Sequence, residues 1–220
     1  MKFMHRFALA ATFLCFSVVT YAQAPKAVVE SAVAILDKAL TERKDELESD
    51  SAALYALVDD ILAPRFDRKY AAQLVLARNW RSATAEQRRD FTETFYDSLV
   101  RKYARGLLDF DQTRVEVLEY RGDVSKKRTT VKTIVTLDDG TKTPVNYVLV
   151  KRESGWLIFD VVIEGISYVR NFRVEMAEEI RTTSLDAVIE RLRRDVSDAD
   201  KSGATKTSDA GSVKPDAGNE

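Results

Sequence analysis

Beyond residue 22, the chain offers only carboxylates, hydroxyls, cations and apolar surface for any chemistry. Its single cysteine, Cys15, and its single histidine, His5, both precede that point. A thiolate nucleophile, an imidazole base, a Ser-His-Asp triad and a Cys/His zinc site each require one of these two residue types. The remaining chain therefore favours binding or transport over the common hydrolase mechanisms.

Two carboxylates, Asp160 and Glu164, have the spacing of a possible acid–base pair. Asp160 interrupts an apolar segment, Trp156–Ile163, and Glu164 would share its face if the strand continued that far. Two neighbouring buried carboxylates can perform proton transfer. The structural alternative, which the sequence favours, has Asp160 meeting an arginine or a backbone N–H while Glu164 caps or pairs nearby.

Residues 1–22 have the pattern of a cleavable export signal. Lys2 and Arg6 precede an apolar stretch over residues 7–19, which is shorter than the roughly 20 residues that a membrane-spanning helix needs. Small residues follow and predict cleavage after Ala22 or after Ala24. We therefore expect an exported protein.

Charge and composition divide the rest of the chain into a folded domain and a tail. Without Lys2 and Arg6, 32 basic residues face 35 acidic ones, so no basic excess indicates a nucleic-acid partner. Residues 25–196 contain the apolar residues of a single domain. Residues 197–220 are almost devoid of large apolar side chains, which predicts a disordered tail.

The apolar spacing predicts helices, then strands, then helices. Helical periodicity covers residues 25–47, 51–62, 67–80, a segment that begins at the capping box Thr84–Gln87, 167–182, and a last segment that ends at Asp195. Alternating strands cover residues 113–120, 128–137, 143–151 and 156–163. Short turns join the strands, so we expect an α+β fold with an antiparallel, twisted sheet of four or slightly more strands.

The last predicted strand is apolar on both faces. Simple alternation places Trp156, Ile158 and Val162 on one face and Leu157, Phe159, Val161 and Ile163 on the other. One face can pack against the helices, and the other needs a second cover or a ligand.

Two segments resemble the MlaC family of periplasmic phospholipid-binding proteins. Residues 156–173 read WLIFDVVIEGISYVRNFR, similar to the family's aromatic strand that ends in Asp-Val-x-x-Glu-Gly-Val-Ser and leads into a helix. Residues 74–88 read LVLARNWRSATAEQR, similar to its Val-Leu-Gly…Trp…Ala-Thr-Pro-Glu-Gln-Arg segment. Ala77 stands where the family often has glycine, and Ala85 where it often has proline. The resemblance covers about residues 28–195.

The resemblance implies a carrier that moves phospholipid between the inner and outer membranes and maintains outer-membrane lipid asymmetry. Its fold would be nuclear-transport-factor-like, with helices wrapped around a sheet and an apolar cavity for acyl chains. It would be a periplasmic monomer with phospholipid as cargo, no cofactor, no metal and no catalytic residue. Its partners would be an inner-membrane ABC transporter with an MCE-domain subunit and an outer-membrane lipoprotein–porin complex.

The candidate cavity-lining residues come from the apolar stripes of the strands and helices. They are Val131, Val135, Tyr147, Leu149, Phe159, Val161 and Ile163 from the sheet and Leu74, Phe95, Leu99 and Tyr103 from the helices. Periodicity does not separate a cavity wall from a filled core. Two alternatives to the carrier therefore stay open, namely a small-substrate enzyme that uses Asp160 or Glu164 and an envelope adaptor that binds no ligand.

Overall fold

The chain folds as an α+β domain in which a five-stranded antiparallel sheet is wrapped by helices. The computed structural model describes residues 24–108, 114–137 and 139–210, with side chains as far as Ser202. Residues 1–23, which hold the predicted export signal, and the tail residues 211–220 lie outside these ranges. Within the described part of the chain, no helix combines the length and hydropathy needed to cross a membrane.

Eight α-helices and two short 3-10 turns flank the strands of the described chain. The α-helices are α1 (Pro25–Glu42), α2 (Lys44–Ser49), α3 (Ser51–Leu62), α4 (Arg68–Leu76), α5 (Arg78–Ser82), α6 (Ala85–Tyr103), α7 (Tyr168–Thr182) and α8 (Leu185–Ala210). The 3-10 turns are Ala63–Arg65 and Ala104–Leu107.

Capping side chains fix the helix starts that the sequence predicted. Asp50 accepts hydrogen bonds from the backbone N–H groups of Ala52 and Ala53 at the start of α3, at 2.8 and 3.1 Å. At the start of α6, Thr84 and Gln87 form the predicted capping box, with reciprocal bonds of 3.1 and 3.0 Å. These bonds satisfy N–H groups that have no partner inside the helix.

Two predicted helices are each divided in the structure. The helix expected over residues 25–47 breaks at Arg43, and the helix expected over residues 67–80 breaks at Ala77. At Ala77 the backbone has φ 48° and ψ −111°, a conformation that glycine adopts much more readily than alanine. The family's usual glycine at this position therefore matches the local geometry of this chain.

The final helix continues beyond the expected end of the domain at residue 196. It reaches Ala210, whereas the sequence predicted a tail from residue 197. Within this extension Arg101 on α6 donates to Asp200 at 3.1 Å. Composition identified the lack of apolar side chains but not this electrostatic contact.

The strands form a meander in sequence order. They are β1 (Val115–Val117), β2 (Arg128–Thr136), β3 (Lys142–Arg152), β4 (Gly155–Ile163) and β5 (Ile166–Ser167), each antiparallel to the next. The four predicted strands are confirmed, and β5 is an addition. Glu164 and Gly165 form the two-residue turn before β5, with φ of 50° and 84°, typical of a tight hairpin.

An irregularity at Phe159 changes which side chains share a face of the sheet. Leu149 lies opposite Ile158 and Val148 lies opposite Asp160, so Phe159 is the extra residue of a β-bulge. Val161 and Ile163 consequently lie on the same face as Ile158. The alternation expected for this strand is wrong beyond the bulge, because an inserted residue reverses the parity of all residues that follow it.

Phe66 connects the three apolar clusters that form the core. The side chain is partly buried and contacts all three clusters. The first is formed by α4, α6, α7 and α8, the second by α1, α2, α3 and α6, and the third by α1 and the sheet. Its ring centroid lies 6.2 Å from that of Tyr96. The backbone N–H of Asp67 donates to the carbonyl of Ile158 at 2.7 Å, which attaches this segment to β4 beside the bulge.

The strained backbone at Ala77 gives a first prediction. Ala77→Gly should raise the free energy of unfolding by about 1 kcal/mol, because removing Cβ relieves a left-handed conformation that costs about 1–2 kcal/mol. Urea denaturation followed by circular dichroism measures the change. Ala34→Gly, at an exposed position inside α1, is the control and should lower stability by about 0.5–1 kcal/mol. Destabilisation by both variants would contradict the assigned backbone geometry.

Candidate functional site

One face of the sheet is apolar across all of its strands, and we call it the apolar face. Residues that lie directly opposite one another in an antiparallel sheet have side chains on the same face. The register aligns Val131, Tyr147 and Val161 across three strands, and it aligns Val145 with Ile163. Ile166 lies opposite Ile163, so β5 extends the same face.

The first two turns of α1 bury one end of the apolar face. Val28 and Val29 pack against Val131, Leu149 and Ile158, and each of these five side chains is at most 5% exposed. Trp156 belongs to the same cluster. This end is ordinary protein core.

The opposite end of the apolar face is less covered, and we call it the open end. Val135, Val145, Val161 and Ile163 are all half-buried, in contrast to the fully buried residues under α1. Beyond them, Leu137 is 47% exposed and Ile166 is 61% exposed. Burial thus falls steadily along the same strands, from core to solvent.

The course of α1 explains this difference between the two ends. Val28, Val29 and Val33 of α1 contact the sheet cluster, whereas Leu36 and Leu40 belong to the cluster formed with α3 and α6. The helix therefore leaves the sheet after about two turns. The apolar stripe of α1, which is continuous in the sequence, therefore packs against the sheet in its first part and against α3 and α6 in its second.

Three hydroxyl groups on or beside the apolar face are hydrogen-bonded within the protein. The Thr133 hydroxyl donates to the Val145 carbonyl, and the Tyr120 and Thr129 hydroxyls lie 2.7 Å apart. Burial raises the pKa of Tyr147, so its phenol stays neutral at physiological pH. The face consequently offers neutral, water-poor surface rather than groups poised for acid–base work.

Six of the seven predicted sheet residues lie together on the apolar face: Val131, Val135, Tyr147, Leu149, Val161 and Ile163. Of these, Val131 and Leu149 are core under α1. Phe159 lies elsewhere, because the bulge turns it to the opposite face. There it packs edge-on against Tyr70 with ring centroids 5.0 Å apart.

The four predicted helical residues lie in a separate region. Leu74, Phe95 and Leu99 pack in the cluster of α4, α6, α7 and α8, where Phe95 stacks on Phe91 at 5.3 Å. Phe95 and Leu99 also line a cavity of about 300 Å³ between α6, α7 and α8. Tyr103 is 41% exposed and contacts Tyr168, with ring centroids 6.0 Å apart. Helical periodicity showed that these residues face inward but not which element they meet.

Sequence reasoning missed three apolar side chains of the open end, Val145, Leu137 and Ile166. Strand alternation could have identified Val145, because it is two residues from Tyr147. Alternation could also have identified Leu137, because it continues the series of Val131 and Val135 in the strand predicted over residues 128–137. Ile166 lies in β5, a strand that the sequence did not predict.

The carboxylate pair does not form. Asp160 is 8% exposed and accepts hydrogen bonds from the Ser167 hydroxyl at 2.6 Å and the Val169 backbone N–H at 2.9 Å. Glu164 is exposed in the β4–β5 turn. The structural role expected for Asp160 is therefore confirmed, since the carboxylate anchors the start of α7 to β4.

Metal ligation receives no support from the described residues. Within residues 24–108, 114–137 and 139–210, His, Cys, Asp and Glu form no group arranged to hold an ion.

Two known proteins are similar to this chain over most of its length. The chain is 29% identical over 166 residues to the toluene tolerance protein ttg2D of Pseudomonas putida, covering 75% of this chain and 77% of the relative. It is 21% identical over 176 residues to the intermembrane phospholipid transport system binding protein MlaC of Haemophilus influenzae, covering 79% and 82%.

A solved structure shares the fold. The phospholipid-binding protein of Ralstonia solanacearum, determined in complex with a phospholipid, superposes with a TM-score of 0.70 at 23% identity, over 79% of this chain and 97% of that one. Residues 30–194 match the family described as MlaC protein. With three quarters of its length inside that match, the chain belongs to the MlaC family.

Proposed function

We propose that this protein binds phospholipid and carries it between membranes, with the acyl chains held against the apolar face. The observation that carries this proposal is the fall in burial along that face, from Leu149 at 0% exposure to Ile166 at 61%. The face stays apolar at its exposed end, where Leu137 and Ile166 reach solvent.

Acyl chains match the chemistry of the open end. Each methylene shielded from water contributes about 0.8 kcal/mol, so two chains of some 30 methylenes require cover worth on the order of 25 kcal/mol. Aliphatic side chains such as Val145, Val161 and Ile163 supply such cover without a hydrogen bond that would select a headgroup. The headgroup would stay in solvent beyond Leu137 and Ile166.

The relatives support this proposal. One is named as an intermembrane phospholipid transport system binding protein, and the structure that shares the fold was determined with a phospholipid bound. We extend the proposal to a periplasmic location after removal of the export signal. The partners would be the inner-membrane MCE-domain transporter and the outer-membrane lipoprotein–porin complex, and the exchange would maintain outer-membrane asymmetry.

Native mass spectrometry tests the proposal directly. The full-length sequence is expressed in a bacterium, and the exported protein is purified from the periplasm without detergent. We expect added masses that match phospholipids, with the same lipids recovered by organic extraction. A clean protein mass that gains no lipid from vesicles would overturn the carrier and favour the ligand-free adaptor.

A pair of neighbouring variants tests which face binds the lipid. Ile163→Asp should lower the co-purified phospholipid about tenfold or more, because a carboxylate on the apolar face must lose water to contact acyl chains. Val162→Asp, also half-buried but on the opposite face, should retain its lipid. Phosphate analysis of the extracts measures both, and urea midpoints show that each variant is folded. Equal loss in the two variants would contradict the assignment of the face.

The enzyme alternative makes a different prediction for Asp160. We expect Asp160→Asn to lower stability by about 1–3 kcal/mol, since a buried, charge-assisted hydrogen bond is weakened, and to leave the lipid content unchanged. Urea denaturation and lipid extraction measure the two quantities. A variant with native stability and altered bound lipid would instead indicate that Asp160 acts on a ligand.

The exposed end of the face should govern how fast lipid enters and leaves. Ile166→Glu should slow the transfer of fluorescent phospholipid from vesicles several-fold, because the charge lies where chains must pass, while the purified protein keeps its lipid. The control is Val174→Glu on α7, where the side chain is 67% exposed. Identical transfer rates for the two variants would place the entrance elsewhere.

A further inference from the structure

The end of the sheet opposite the open end is strongly basic, and we call it the basic pole. It consists of six exposed cations: Arg121, Lys126, Lys127, Arg128, Lys151 and Arg152. Three carboxylates accompany them, Asp67, Asp123 and Glu153. The chain as a whole has a net charge of −1, so this concentration of cations is local.

Backbone and side-chain contacts hold the basic pole together. The Lys151 backbone N–H donates to the Lys127 carbonyl at 2.9 Å, which brings the β1–β2 loop beside the end of β3. Arg128 and Arg152 lie over the Tyr70 ring, with guanidinium carbons 5.3 and 4.8 Å from its centroid. The cations therefore form one surface rather than a set of unrelated positions.

An exposed apolar side chain lies within this surface. Val124 is 51% exposed in the β1–β2 loop, and its carbonyl accepts a hydrogen bond from the Lys151 ammonium at 3.3 Å. Asp123 is directed back into the loop, where hydrogen bonds from Ser125 lower its pKa. The loop thus presents an apolar tip beside Lys126 and Lys127.

We propose that the basic pole binds the surface of an anionic lipid bilayer, with Val124 entering the headgroup region. Each lysine or arginine near such a surface increases the partitioning of the protein onto the membrane roughly fivefold. An apolar tip adds contact with the boundary between headgroups and acyl chains.

The state of the cations favours a bilayer over an acidic protein. Two of the three guanidinium groups, which suit paired contacts with a structured carboxylate, are already engaged, since Arg152 donates to Asp67 at 2.7 Å and Arg128 donates to the Tyr70 hydroxyl. Lys126 and Lys127 carry point charges on long stems, which suit a fluid surface without fixed geometry.

Vesicle sedimentation tests this inference with the protein expressed from its full-length sequence. We expect the protein to sediment with phosphatidylcholine–phosphatidylglycerol vesicles, to remain in solution with phosphatidylcholine alone, and to be released by high salt. Lys126→Glu combined with Lys127→Glu should reduce binding tenfold or more. Val124→Ser should weaken it a few-fold.

A control with the same change in net charge is Arg78→Glu combined with Arg194→Glu, at two exposed helical positions outside the pole and the open end. It should bind like the unmodified protein. Equal loss in both double variants, equal binding to neutral vesicles, or no binding to either vesicle would overturn the inference, as would capture of an acidic protein without vesicle binding. Lipid extraction from the Lys126/Lys127 variant should give the normal cargo, so failure here is distinguishable from failure of the carrier proposal.

Discussion

The β-bulge at Phe159 determines how the two faces of the sheet are used. One extra residue between Ile158 and Asp160 keeps Ile158, Val161 and Ile163 on a single apolar face, and it turns Phe159 and Asp160 towards α4 and α7. Without the bulge, regular alternation would place Asp160 on the same face as Ile158, and Val161 and Ile163 on the other. This explains why β4 is apolar on both faces. One face packs against α4 and α7, and the other belongs to the apolar face with its open end.

Attachment of the helices to β4 depends on the same short stretch. The Asp67 N–H bonds to the Ile158 carbonyl just before the bulge, and the Asp160 carboxylate receives the Ser167 hydroxyl and the Val169 N–H just after it. Phe66 then joins the three clusters of the core. The motif Asp-Val-x-x-Glu-Gly-x-Ser consequently has a structural reason: Asp160 and Ser167 anchor α7, and the Glu164–Gly165 turn reverses the chain between them.

The sequence predicted the fold class and the order of elements. Of the seven sheet residues selected from the sequence, six lie on the apolar face, because period-two alternation shows which residues of a regular strand share a face. The prediction failed at Phe159, where parity changes, and at Ala77 and Arg43, where helices break without proline or glycine. It also left out Leu137, although the alternation of the predicted strand leads to it, and Ile166, which lies in the unpredicted β5. Inward-facing periodicity in Phe95 and Leu99 was real, yet the three-dimensional partner of that face is α7 and α8 rather than the sheet. Periodicity gives the direction of a side chain and carries no information on what lies opposite.

The departure of α1 from the sheet separates the open end of the apolar face, which we propose binds lipid, from the core. Leu36 and Leu40 do not pack on the strands, and Val145 and Ile163 stay half-buried. The two leucines instead pack with α3 and α6, so the domain gains stability from one half of the helix and leaves apolar sheet uncovered beyond the other. Exposing such surface is costly in water unless a ligand replaces the missing helix. The open end of the apolar face therefore lacks a covering helix. An acyl chain, which is apolar and flexible, has the chemistry to cover it in the helix's place.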